Sequence, residues 1–275
     1  MKEKHTASFD EFITLDTSRI RTNYLIEDLF LQNKIETVYS YHDRMIIGGA
    51  CPNTSLELAV VPELHHNFFL ERREMGVINI GGTGTVRVND TEYELNTMDG
   101  LYIGMGNEKV VFLSSDALNP AKFYFISTPA YQSYPTTRIL YQEVEPMVLG
   151  TASAANQRVL YKYIHNAGVK SCQLVMGFTQ IKDGSVWNSM PPHIHERRSE
   201  VYCYFNLLPQ DIVFHFMGNQ EQTRHIVVKN EQAVLSPYWS IHSGVGTTNY
   251  AFIWAMAGEN QLFEDAQPVG LNELR

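Results

Sequence analysis

The chain has 275 residues, 44% hydrophobic and 19% charged, with a formal net charge of −9, which suits one large or two moderate domains, each with a real core, and excludes a disordered or fibrous protein. The acidic balance gives no electrostatic reason to bind nucleic acid, yet it leaves open a small anion held by a local Arg or Lys inside a pocket. No apolar run reaches the ~18 residues of a membrane span, and Met1-Lys2-Glu3-Lys4-His5-Thr6 lacks the apolar segment of a secretion signal, so the expectation is a cytoplasmic protein with no membrane partner.

In chain order, helical periodicity is confined mainly to Arg21 to Leu31, where Leu25, Ile26, Leu29 and Phe30 form one apolar face. Gly, Pro and Asn then punctuate short runs rich in Val, Ile, Tyr and Phe: Val77 to Ile80, Thr85 to Val88, Glu92 to Leu95, Leu101 to Ile103 and Val110 to Leu113. This is the spacing of an all-β sandwich or barrel. A Pro/Thr-rich segment at Tyr134 to Thr137 and an Ala/Asn/Gln-rich one at Thr151 to Gln157 suggest a boundary, giving units 1–145 and 146–275. The same texture then resumes at Leu160 to Ile164, Gln173 to Thr179, Glu200 to Leu207, Ile212 to Met217, His225 to Lys229, Ala233 to Ser236 and Ala251 to Met256. Cys51, Cys172 and Cys203 are an odd number, far apart and without a CxxC pair, which indicates neither a disulfide framework nor a zinc finger.

The most informative stretch is Pro192-His193-Ile194-His195-Glu196-Arg197-Arg198-Ser199-Glu200, answered further on by Ser236-Pro237-Tyr238-Trp239-Ser240-Ile241-His242. Alternation along a strand puts His193 and His195 on one side with Ile194 on the other. A short turn at Glu196 to Ser199 lets a second strand begin at Glu200, and His242 arrives from a distant strand after its own Pro-led turn. Three imidazoles and one carboxylate then surround one metal ion with room left for water or substrate, the pattern of a catalytic rather than a closed structural site. With ten histidines in the chain, a lone HxH pair would be ordinary surface or core histidine. The stiff Pro-Pro lead, the carboxylate at hairpin distance and the Pro-led turn before His242 argue for ligands.

Used as a ruler on the first half, the motif aligns Glu74 with the carboxylate, Asn67 and Phe69 with the first two histidines and Lys109 with the last. Phenylalanine cannot ligate and a lysine repels a cation, so the first half is expected to be a barrel without the metal. His65 and His66, being adjacent, point to opposite faces and are read as surface or capping residues.

At these residues the chain resembles the cupin superfamily, whose two motifs carry HxH plus Glu and a later Pro-led turn ending in His. More closely it resembles the 5-keto-4-deoxyuronate isomerase family, through Tyr41 to Gly49, Phe68 to Glu74, Asn79 to Gly82, Tyr161 to His165 and the run Val186-Trp187-Asn188-Ser189-Met190-Pro191-Pro192-His193 through Tyr202. The related inositol-pathway uronate isomerases share parts of that run. The resemblance implies a bicupin fold, all-β with two jelly-roll barrels in one chain and few short helices. It also implies one zinc ion per subunit on His193, His195, Glu200 and His242, and a homohexamer. The implied reaction is the aldose-ketose conversion of 5-dehydro-4-deoxy-D-glucuronate to 3-deoxy-D-glycero-2,5-hexodiulosonate.

Such a reaction needs an electrophile at the carbonyl and a group to move a proton, and zinc suits it because no redox step occurs. Alternation from Glu200 places Tyr202 and Tyr204 inward, where a phenol could carry a proton, although tyrosine is also ordinary barrel interior. His215 and His225 have no spacing that ties them to the metal, and Glu196 is read as solvated. The substrate carboxylate calls for a cation with several donors; the candidates are Arg158 and Lys162, then Arg197 and Arg198 in the turn and Arg44 in the first half. Trp187 and Trp239 stand where cupins carry glycine. Trp187 is read as a sugar-facing wall and Trp239 as rim packing. Three His and one Glu also suit Fe(II) or Mn(II), so a cupin dioxygenase or oxalate-type enzyme is one alternative, and a non-catalytic sugar-binding cupin is another.

Overall fold

A computed structural model describes residues 1–262 and 265–275. The chain divides into two compact units: Met1–Glu3, Asp28–Glu145 and Tyr163–Val175 form the first, and Lys4–Glu27, Pro146–Lys162 and Met176–Arg275 the second. The main break falls between Glu145 and Pro146. However, the segment Lys4–Glu27 joins the second unit and Tyr163–Val175 the first, exchanges that a cut in linear sequence misses.

Among the described residues the first unit carries a seven-stranded and a four-stranded sheet, and the second a seven-stranded and a five-stranded one, the double-sheet build of a jelly roll. In the first unit, Met75 and Val77 of the strand Arg73–Asn79 alternate into a core with Leu101, Ile103, Phe112, Phe123 and Phe125. Glu74 therefore lies on the opposite face, which corrects the alignment that equated it with Glu200. Its carboxylate is buried and accepts from the amides of Cys172 at 2.6 Å, Gln173 at 2.8 Å and Leu174 at 3.0 Å, and from the Tyr102 hydroxyl at 2.7 Å. It tethers a backbone segment. Lys109, aligned with the last histidine, is instead a surface residue paired with Glu57 at 3.0 Å. Accordingly, Lys109→Ala is expected to leave the protein's metal content unchanged, as read by elemental analysis of the purified variant.

In the second unit the larger sheet runs Met147–Leu149, Arg158–Ile164, Val175–Ile181, Ala251–Gly258, Arg198–Phe205, Gln232–Ser236 and Leu25–Ile26. The smaller runs Gln222–Val228, Val213–Asn219, His242–Gly246, Trp187–Ile194 and Gln267–Pro268. The helix read at Arg21 to Leu31 is displaced: it spans Thr17–Tyr24, with the Asp16 side chain capping Arg19 N at 2.8 Å. Leu25 and Ile26 leave it to pair with Val234 and Ala233. Sheet-edge hydrogen bonds compensate the chain for ending the helix, so tertiary pairing overrides the apolar i, i+4 spacing. Close backbone approach is needed at Gly177, where an added Cβ would meet the Tyr161 carbonyl oxygen at 2.1 Å and Trp254 Cζ2 at 2.5 Å. Gly177→Ala is expected to destabilise the second unit by about 1–3 kcal/mol, the cost of overpacking, checked by denaturant unfolding.

Candidate metal centre and its cavity

The strand Trp187–Ile194 pairs with His242–Gly246, and an irregularity between Asn188 and His193 shifts the register so that His193 faces His242. Ser189 sits in that stretch with a left-handed φ of 44°. The next strand begins at Arg198, two residues earlier than the sequence suggested, which leaves the parity of Glu200, Tyr202 and Tyr204 intact. One ligand atom each from His193, His195, Glu200 and His242 lies within 4.8 Å of the others, and the last three residues are buried.

Several features fit this set to a divalent cation. His242 Nε2 and His193 Nε2 are 3.0 Å apart, close to the roughly 3.3 Å separation of two ligands on a tetrahedral zinc. Glu200 Oε2 is 2.6 Å from His242 Nε2 and 3.5 Å from His195 Nε2, and it makes no well-directed hydrogen bond although it is buried. A divalent cation between them would satisfy lone pairs that face one another at this density. Burial pushes the Glu200 carboxyl up, but the His242 and His195 imidazoles outweigh it and hold it below the usual carboxylate range. Burial, reinforced by His242, drives the His193 imidazole well below its ordinary value, which keeps its lone pair free to ligate. His195 Nδ1 meets Asp265 Oδ1 at 2.7 Å, an outer contact that sequence reading missed because Asp265 belongs to no motif.

A cavity of about 220 Å3 opens on this cluster. That is below the ~300–1,000 Å3 of drug-sized sites, a size that suits a small molecule. Its wall is mostly apolar, with Leu149, Leu160, Phe252, Trp254 and Met256, and its polar groups are Arg158, Thr179, Ser189 and Tyr202 beside the His/Glu cluster. Arg158 is the cation that the structure brings to the cavity; burial lowers its guanidinium below the ordinary arginine value. Lys162, further along the same strand, does not line the cavity. Neither does Arg198, whose buried guanidinium bonds to Leu262 O at 2.7 Å, Asn260 O at 3.3 Å and the Asp265 carboxylate. Its carbonyl and carboxylate partners use both terminal nitrogens of the guanidinium that was read as a substrate contact. Arg197 is exposed, 3.6 Å from Glu259.

The two tyrosines part company. Tyr202 lines the cavity with its hydroxyl 2.9 Å from Ser189 Oγ, whereas the Tyr204 hydroxyl is 2.8 Å from His215 Nδ1 in the interior. Burial raises both phenols well above their ordinary value, so both stay protonated near neutrality. Burial lowers His215 to about 3, and it remains a neutral partner. Trp187 stacks on Phe216 with ring centroids 6.0 Å apart and does not line the cavity, so its wall reading gives way to strand-surface packing. Trp239 packs on Phe9 and Phe12, at 5.6 and 5.1 Å.

The family model that matches residues 27–268 is that of the KduI/IolB family. The chain belongs to the KduI/IolB family. It is 53% identical over 266 residues, 96% of each chain, to the 4-deoxy-L-threo-5-hexosulose-uronate ketol-isomerase of Caldicellulosiruptor bescii. It is 49% identical to the Bacillus subtilis protein of the same name over the full length of both. This KduI/IolB chain also superposes on the crystal structure of an IolB-like protein from Salmonella typhimurium LT2 with a TM-score of 0.70, at 16% identity over 87% of this chain and 94% of that one. With that match the all-β, two-barrel cupin expectation holds. The chain is an enzyme, an intramolecular oxidoreductase of the ketol-isomerase kind. Among the described residues no helix is long and apolar enough to cross a membrane.

Proposed function

We propose that the protein is a zinc-dependent isomerase that converts 5-dehydro-4-deoxy-D-glucuronate to 3-deoxy-D-glycero-2,5-hexodiulosonate in uronate degradation. The observation that carries this reading is the convergence of His193, His195, Glu200 and His242 on one another, with the first three lining a small cavity that also holds one guanidinium. The near-half identity to relatives named for this ketol-isomerase activity supports the substrate. The reading includes a cytoplasmic location, a homohexamer, a small anionic sugar acid as substrate, and neither nucleic acid nor membrane as partner.

A divalent cation held by the four side chains supplies positive charge beside the reacting carbonyl and suits an isomerisation without redox change. Arg158 holds the carboxylate end of the substrate with charge-assisted hydrogen bonds. The apolar wall of Leu160, Phe252, Trp254 and Met256 excludes water and packs against the deoxygenated carbon. The reaction removes a proton from C2 and delivers one to C1 while a hydroxyl proton shifts from O2 to O1, so nothing is gained or lost overall. The Tyr202 hydroxyl, protonated and backed by Ser189 Oγ, donates a hydrogen bond to substrate oxygen and restrains it during that transfer.

The deciding assay couples the unsaturated uronate released from pectate to the downstream reductase, with metal present and after chelation. Turnover that chelation abolishes and zinc restores is the expected result. Full turnover in metal-free protein, or oxygen uptake with a redox-active metal, overturns the reading. Tyr202→Phe is expected to lower kcat by up to about tenfold, the worth of one hydrogen bond, while Tyr204→Phe acts on thermal stability more than on kcat. Steady-state kinetics and melting curves of the two variants separate these effects.

A further inference from the structure

Asp265 stands outside the long strands, yet three groups converge on its carboxylate. His195 Nδ1 meets Oδ1 at 2.7 Å, Arg198 Nη2 donates to the same oxygen, and Asn260 Nδ2 donates to Oδ2 at 2.7 Å. The Arg198 side chain is fully buried and also clasps Asn260 O and Leu262 O, so the segment that carries Asp265 is fastened beneath His195 by one guanidinium. A buried carboxylate or guanidinium alone would be costly, and each here supplies the other's counter-charge. An imidazole that ligates through Nε2 must keep its proton on Nδ1, whereas neutral imidazole in water prefers the proton on Nε2. An acceptor fixed at Nδ1 reverses that preference before any metal arrives. His242 shows the contrast: its Nδ1 is buried without a hydrogen-bond partner among the described residues.

We propose that Arg198 and Asp265 are positioning residues that lock His195 in its Nδ1–H tautomer and fix its ring, thereby raising the affinity of the four-ligand centre for its metal. This rests on the metal-centre reading above. Arg198 thus acts through Asp265 and His195 rather than on the substrate.

The test is a zinc titration against a competing chelator on wild type, Asp265→Ala, Asp265→Asn and Asn260→Ala, with His242→Ala as reference and cooperative melting confirmed for each. Asp265→Ala is expected to weaken zinc binding about 10–100-fold, the usual cost of losing an outer-shell partner. Asp265→Asn keeps an oxygen acceptor without its charge and falls in between, and Asn260→Ala costs a few-fold. Nitrogen chemical shifts of the His195 ring in metal-free protein give a second readout: mainly Nδ1–H in wild type, shifting to Nε2–H in Asp265→Ala. A merely structural Asp265 would lower the melting temperature without moving that tautomer. If Asp265→Ala does not fold, the Asn and Asn260→Ala variants decide by the same two readouts. Zinc affinity within twofold of wild type in the folded Asp265 variants, alongside its loss in His242→Ala, overturns the proposal alone. Equal zinc binding by His242→Ala and wild type overturns the metal centre and this proposal with it.

Discussion

Glu200→Gln and His242→Ala are each expected to cut zinc affinity by more than 100-fold and to take turnover with it, while far-ultraviolet circular dichroism stays that of wild type. The magnitude follows from position: outer-shell losses cost ~10–100-fold, and these two residues supply ligand atoms themselves. Glu200 furnishes the one oxygen and the one negative charge of the set, and the amide of Gln at the same volume removes the charge alone. The fold should survive because the strand Arg198–Phe205 is held by ladders to Ala251–Gly258 and Gln232–Ser236 along its whole length, independent of the ion. Metal content by elemental analysis and the coupled uronate assay check both halves. Stoichiometric zinc in either variant would remove these side chains from the centre.

Arg158→Met is expected to raise KM far more than it lowers kcat, with kcat/KM down about 10–150-fold. Hydrogen bonds to a charged group contribute about 1.5–3 kcal/mol, and Arg158 is the guanidinium that lines the cavity. Methionine keeps the apolar stem that packs on the wall, so the loss isolates the charge. Arg158→Lys should recover only part, because an ammonium cannot reproduce the fork that meets a carboxylate with two donors. Arg198→Lys, by contrast, should leave KM nearly unchanged and act through metal affinity. A KM effect confined to Arg198 would reverse the assignment of the two arginines.

Residue pattern and fold agree where one physical rule dominates. Period-two alternation and Gly/Asn punctuation foreshadow strands such as Gly84–Val88 and Val110–Ser114 nearly to their ends. The HxH spacing and the Pro-led turn are enough to bring His193, His195, Glu200 and His242 into one group. Where two rules compete, reading fails. Leu25 and Ile26 satisfy a helical stripe and a sheet edge alike, and only Val234 and Ala233, far along the chain, decide between them. Arg198 and Arg158 are equivalent as sequence symbols; a turn that buries the first against Asp265 separates them, and nothing local announces it. The alignment of Glu74 with Glu200 failed for a third reason. A one-residue slip along a strand inverts every side chain, so spacing alone cannot tell a lumen-facing carboxylate from one on the reverse side.

That slip limits what engineering of the amino-terminal barrel can achieve. Imidazoles transplanted there by motif spacing would lack an oxygen partner, since the sole acid of Arg73–Asn79 looks the other way. Turning it around would cost the anchorage of the loop at Cys172–Leu174, whose three amides would then lose their acceptor. Among the described residues two barrels share a single place to load an ion, and a bimetallic version would have to be built by re-registering a strand rather than by swapping side chains.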